Sequence, residues 1–354
     1  MKRLVPALLF VVALLLGAVS AQAQAPGTAL QEIVDVQFVA WVTGPELPNQ
    51  TADRYNVDGT DLGSMFAQGD TLYIAFGDTF GCCRPQGGGA GGDDWRNNVL
   101  GFTTDRVLED GITLDGMITD EDGEARAVLK RKKEDITVIP TYGIAIGDRL
   151  YLHYMAVKKW GPPGEWTLNR SGWGYSDDGG QTWTQPNEAI WQGDTNFGQA
   201  ALVEHEGFVY VFGIHGGRFG GVKLARVPSD AILDMAAYTY WNGSAWAADL
   251  EQAVEIASAP VGELSVAWND YLGRWIMTYL DEIRRAIVVR EAPELVGPWS
   301  DPLEMVSADD YPSPYGAYLH PWGSSGEVIY FNMSQWGPYN VMLMRARLVK
   351  AAQP

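Results

Sequence analysis

Two aspartates within one short stretch have the types and spacing to do chemistry together. The segments Gly59-Thr60-Asp61-Leu62-Gly63 and Phe76-Gly77-Asp78-Thr79-Phe80 flank a turn centred on Gly69-Asp70. Folded about that turn as an antiparallel hairpin, position 61 falls opposite position 78, and directly opposed side chains share one face with Cβ atoms about 5 Å apart. Like charges that close are unfavourable unless one carboxyl holds its proton, and the resulting split in pKa is what an acid/base pair needs. Close carboxyls are the working parts of most glycosidases. Asp beside Gly also caps turns and holds cations, so the same residues carry a purely structural reading as well.

The elements that must position this pair recur along the chain. A short strand, a polar turn and a second strand rich in Tyr, Phe and Ile are followed, after a variable loop, by a third strand. This pattern occupies residues 58–80, 141–157, 197–213, 262–280 and 315–333, with third strands starting at Asn97, Gly172, Gly220, Arg285 and Tyr339. A three-stranded meander cannot bury both of its faces alone, and stacking five around an axis solves that, which predicts an all-β, five-bladed β-propeller; the competing arrangement is a β-sandwich. Abundant Gly (41), Trp (14) and Tyr (16) agree with β structure, as does the absence of long apolar stripes at helical period. Ser176-Asp177-Asp178-Gly179-Gly180-Gln181-Thr182-Trp183 matches the Asp-box turn of propellers. There Asp178 is expected to bond turn amides over Trp183, away from the cleft.

In a propeller the innermost strand of each blade lines the axis, and its start faces the cleft. Besides Asp61, that rule selects Tyr142, Gln199, Glu263 and Tyr315 as candidates to touch substrate. Glu263 is a third carboxylate for the cleft or the salt-bridge partner of Arg218. Arg218, in a glycine-rich loop, either binds a sugar or braces that loop. His153 and His320 are candidates near the axis, against the commoner role of a satisfied structural histidine. Trp95, Trp160, Trp173 and Trp336 stand on or beside loops where rings could stack on sugars.

Residues 1–25 read as a secretory signal: Lys2 and Arg3, the apolar run Leu8 to Val19, then small residues to Ala25. Residues 26–354 are then one propeller domain, secreted, with no membrane attachment after cleavage. Without Lys2 and Arg3 the formal charge of −19 becomes about −21, which repels nucleic acid and anionic membranes. The adjacent Cys82 and Cys83 cannot form a disulfide framework, leaving a vicinal disulfide or two free thiols. No cofactor is required; Ca2+ at the axis is compatible with converging carboxylates, but no loop has a diagnostic spacing. A monomer is expected. Gly87 to Gly92 read as a flexible loop near the cleft, and Asp105 to Asp135 as a solvated connection between blades.

Larger motifs carry a resemblance. At Asp53-Arg54-Tyr55, at the two aspartate motifs, at Arg96-Asn97-Asn98-Val99-Leu100 and at Asn196-Phe197-Gly198-Gln199 the chain resembles the family called domain of unknown function 4185. The likeness continues through Gly217-Arg218-Phe219-Gly220-Gly221-Val222, Tyr315-Gly316-Ala317-Tyr318 and Trp336-Gly337-Pro338-Tyr339-Asn340-Val341. Some members resemble, or belong to, glycoside hydrolase family 183, endo-acting D-arabinofuranases with a five-bladed propeller and acidic catalytic residues. The resemblance implies that Asp61 and Asp78 are the essential pair, that Asn98 is a further substrate-binding candidate, and that the partner is a polysaccharide. The D-arabinan of arabinogalactan or lipoarabinomannan is the expected substrate. The Cys82-Cys83 pair and the neighbouring glycines depart from the common pattern beside Asp78. Two other readings remain: a non-catalytic carbohydrate-binding propeller, or a hydrolase of another glycan such as an L-arabinan.

Overall fold

The structure is a computed structural model that describes residues 27–352. The expected signal segment lies outside them. Five antiparallel sheets stand around one axis, the five-bladed β-propeller that the repeats predict. Their inner strands are Gly59–Gln68, Thr137–Ile146, Gln199–His205, Leu264–Asn269 and Pro314–Leu319. The second strands are Thr71–Phe80, Arg149–Trp160, Phe208–Ile214, Arg274–Asp281 and Val328–Gln335. Each second strand lies between neighbouring blades and is covered on both faces, which is why it reads as a nearly unbroken apolar run rather than an alternating one. No helix among the described residues is long and apolar enough to cross a membrane.

Tight turns set the registers. Gly69, in the left-handed region at φ 57°, lets a two-residue turn join Gln68 to Thr71. Between blades two and three, Trp173, Trp191 and Phe197 pack ring against ring at 6.3 and 5.7 Å. Trp173 is fully buried, so blade packing takes it away from the sugar-stacking role considered for it.

Each blade carries more strand than the meander pattern predicts. The outer strands Gly116–Met117, Ile190–Gln192 and Leu303–Ser307 complete blades one, two and four, and Thr239–Trp241 extends blade three. Segments of two to five residues carry no usable alternation, so no periodic signal marks them. For the same reason the connection over Asp105 to Asp135 is not simply solvated: it holds Gly116–Met117 and buries Leu108, Ile112, Leu114 and Leu129. The outer strand of blade five comes from the other end of the chain, Leu30–Trp41 pairing antiparallel with Asn340–Lys350 and sealing the ring.

The Asp-box turn closes blade two at the end opposite Asp61 and Asp78. Asp178 accepts bonds from the Thr182 amide (2.8 Å) and hydroxyl (2.6 Å) and from the Ser176 hydroxyl (2.8 Å). Trp183 folds beneath and donates to the Gly180 carbonyl at 2.8 Å.

Candidate active site

The aspartate hairpin keeps the register set by its turn at both ends, with Gln68 opposite Thr71 and Thr60 opposite Thr79. Between them the ladder shifts, Leu62 pairing with Phe76, so Asp61 faces the pair Gly77-Asp78 across a bulge rather than Asp78 alone. A second shift at Gly63 restores the register at Ser64 opposite Ala75, and Leu62 and Gly63, between the two shifts, are both at positive φ (68° and 84°). A leucine in that region is uncommon, and such strain is concentrated at functional sites. Gly77 serves a different purpose: a Cβ there would overlap Oδ1 of Asp61, so the missing side chain is the space the carboxyl occupies.

Each carboxyl has its own partners. Asp61 accepts a hydrogen bond from the Tyr315 hydroxyl at 3.1 Å. Burial, then the charge of Asp78, push its pKa up to about 8, against the hydroxyls of Tyr315 and Tyr339, which lower it. Asp78 accepts from the Thr137 hydroxyl at 2.6 Å and the Trp95 indole N–H at 2.9 Å. Burial raises it too, but these two donors hold it to about 6. At neutral pH the pair therefore divides, Asp61 holding a proton and Asp78 carrying charge. Both residues remain partly open to the cleft.

Arg218 organises the neighbouring wall. Its guanidinium meets Oε1 of Glu263 at 2.8 Å and Oε1 of Glu282 at 3.0 Å, and lies over the Tyr315 ring at 4.9 Å and the Trp166 ring at 5.7 Å. Burial pulls its pKa down, and the two carboxylates more than offset that. The arginine thus pins the tyrosine that bonds Asp61. Glu263 is its salt-bridge partner, and its second oxygen is buried without a partner among the described residues. An axial void of about 10 Å³ lies beside Glu263, Thr141 and Gln199. Gln199 donates to the Gly217 carbonyl at 2.8 Å, and Tyr142 shares a 2.9 Å bond with Ser265; both lie buried on the axis.

Three candidates stand elsewhere. Asn98 is fully buried and sews blade one to blade two, donating to the carbonyls of Leu129 and Val138 and accepting from the amides of Val128 and Leu129. His153 is on a second strand, not an inner one; it bonds Thr141 at 2.7 Å against Trp173, and burial lowers its pKa to about 3. His320 follows the far end of its inner strand, where its Nδ1 accepts from the Trp322 amide at 3.2 Å. These packed positions leave none of the three in the cleft.

Sequence reasoning passed over Thr137, Tyr339 and Arg84. Thr137 opens the inner strand of blade two, four residues before the start assigned to it, so the rule that picked Tyr142 would have found it with a better boundary. Tyr339 belongs to the Trp336 to Val341 motif. Arg84 lies against Gly59 and donates to the Asp58 carbonyl at 3.3 Å, a contact no spacing announces. The glycine-rich loop packs on blade five, the Gly89 amide bonding the Gly337 carbonyl at 3.1 Å beside Trp336. Trp95 and Trp336, 39 % and 53 % exposed, thus flank the aspartates from two blades. Cys82 and Cys83 are exposed free thiols. With Asp93 they form the one group of three potential metal donors converging within 4.8 Å among the described residues.

Comparison with solved structures finds the same architecture in carbohydrate-active proteins. A family 117 glycoside hydrolase of Zobellia galactanivorans matches with a TM-score of 0.54 at 12% identity, over 90% of each chain. A protein of Bacteroides ovatus provisionally called a hydrolase matches at 0.60 and 12% identity, over 83% of this chain and 86% of that one. An exo-β-1,3-galactanase of Phanerochaete chrysosporium matches at 0.53 and 11% identity; 91% of this chain aligns, spanning 65% of the galactanase. At such identities the likeness is one of fold. No curated protein sequence matches. The profile of the family described as Domain of unknown function (DUF4185) matches residues 46–345, and the chain belongs to that family.

Proposed function

We propose that this protein is a glycoside hydrolase whose acid is Asp61 and whose charged carboxylate is Asp78. The observation that carries this reading is the placement of two carboxyls side by side, Asp61 filling the space left by Gly77 next to Asp78, where burial raises both and Asp61 the more. The Asp61 proton passes to the glycosidic oxygen as its bond to the anomeric carbon breaks. Asp78 either takes the proton of a water attacking that carbon or attacks the carbon itself, with water completing hydrolysis in both cases. Trp95 and Trp336 suit stacking on sugar rings, and the Arg218-Tyr315 pair suits holding Asp61 in place. The fold it shares with glycoside hydrolases is consistent with this chemistry.

The finer reading is endo-cleavage of arabinofuranosidic links in D-arabinan by a secreted monomer. It rests on the family resemblance and on the exposed Trp95 and Trp336 rings beside the aspartates. The test is incubation of the mature protein with mycobacterial arabinogalactan, following released oligosaccharides by chromatography and the first-formed anomer by NMR. Short oligosaccharides of D-arabinose are expected. Release from another glycan alone would keep the hydrolase and replace the substrate. Retained glycan binding with no product from any polysaccharide would move the protein to the non-catalytic class.

A further inference from the structure

At the end of the propeller opposite the aspartates, six rings run in contact across two blades. Trp268 and Trp275 of blade four are 5.4 Å apart, and Trp275 meets His205 of blade three at 5.3 Å. His205 continues to Tyr210 at 6.5 Å, Tyr210 to Trp246 at 5.8 Å, and Trp246 to Trp241 at 5.4 Å. They line a groove of about 760 Å³ between the two blades, well within the range of small-ligand sites. None of these residues takes part in the aspartate cleft.

The chemistry of the lining narrows the occupant. Trp268 is 40 % exposed, and its indole N–H is tied to Asp270 at 2.9 Å, so the ring is held ready rather than ordered by a ligand. Glu206 and Glu294 add exposed carboxylates. No lysine or arginine lines the groove. Arg226 of blade three lies over the Trp246 and Phe208 rings at 4.3 and 4.4 Å, on the groove's aromatic wall. Aromatic faces take the C–H face of a sugar, and carboxylates accept its hydroxyls. Glu206 lies 3.8 Å from the His205 ring, and with no lysine or arginine in the lining the two carboxylates disfavour phosphates, sulfates and uronates, on a chain of net charge −19.

We propose that this groove is a second glycan-binding site, taking a segment of neutral polysaccharide at the end of the ring away from the aspartates. For its polymer class it rests on the carbohydrate reading above, but not on catalysis. A polymer held there would raise the local concentration of its own chain at the cleft. The test uses Asp78→Asn protein, so that polymer is not consumed, run in native gels containing arabinogalactan or other neutral polysaccharides. At least one polymer should retard it, and adding Trp268→Ala should weaken retardation roughly tenfold, as loss of an aromatic anchor does. Adding Glu294→Gln, a rim change with no packing role, should weaken it less. With Asp78 intact, Trp268→Ala should slow cleavage of polymer while leaving cleavage of a short oligosaccharide unchanged. No retardation by any neutral polymer, or retardation indifferent to both substitutions, overturns the inference. Groove-dependent retardation without hydrolysis by the unsubstituted protein would sink the catalytic proposal and leave this one standing.

Discussion

Asp61 at the mouth of blade one and Asp178 at the far end of blade two are the same side chain driven in opposite directions. Asp178 is exposed and receives two bonds from Thr182 and one from Ser176, which hold its pKa down to about 2. Asp61 is half-buried beside a second carboxyl with few donors, and rises to about 8. The turn spends its aspartate on holding itself together. The cleft leaves its aspartate short of partners, and the shortage keeps a proton available.

The sharpest way to break this contrast is to remove the titrating oxygens. Asp61→Asn and Asp78→Asn should each lower kcat/KM for glycan cleavage by about 10³-fold, within the usual range for a general acid or base. Intact folding by circular dichroism with undiminished activity in either variant would end the assignment. Gly77→Ala tests the space rather than the group. The added Cβ displaces the Asp61 carboxyl while leaving both aspartates in the chain, and a loss of about 10²-fold in kcat, with KM little changed, is expected.

The pH dependence sharpens the comparison further. Activity should rise as pH climbs through about 6, where Asp78 ionises, and fall above about 8, where Asp61 loses its proton. Since the two carboxyls interact, the limbs belong to the pair. Stability follows the same groups with opposite signs. A carboxyl raised in the fold binds its proton more tightly than in the unfolded chain. Its contribution is therefore full below the ordinary value of 3.8 and is lost as pH rises through about 6 and about 8. Asp178, lowered in the fold, stabilises above 3.8 and loses that contribution as pH falls through about 2. In thermal melts, Asp61→Asn should thus raise Tm at pH 8 relative to the unsubstituted protein. The smallest effect belongs to Asp178→Asn, which should lower Tm by a few degrees at pH 7 and leave catalysis alone. A rate change in that variant would mean the turn is coupled to the cleft.

How much of this was legible depended on sequence distance. The five hairpins are legible because each is local, and the same arithmetic brings Asp61 to Asp78 from the turn at Gly69-Asp70 alone. It misses the bulge, because Leu62 takes a positive φ that its residue type does not favour. It placed His153 near the axis because a residue one strand out differs from an inner one only in which neighbour covers it. It left open whether Glu263 serves the cleft or Arg218, which no local pattern decides: the two are 45 residues apart and meet only when blades three and four stand side by side. The Trp268 to Trp241 ring run was equally hidden, its members coming from two blades.

The seal of the ring carries a consequence for how the chain comes into being. Leu30 pairs with Lys350, so this strand finds its partner only after the whole intervening ring has been made. During synthesis the Asn340–Lys350 partner is missing, and afterwards, until the two strands meet, each is an open β edge able to pair with another molecule. Closure is therefore the slow, long-range step of folding. A bulky fusion placed directly before Leu30 should show itself as aggregation during production, well before it shows in the rate at which a finished molecule works.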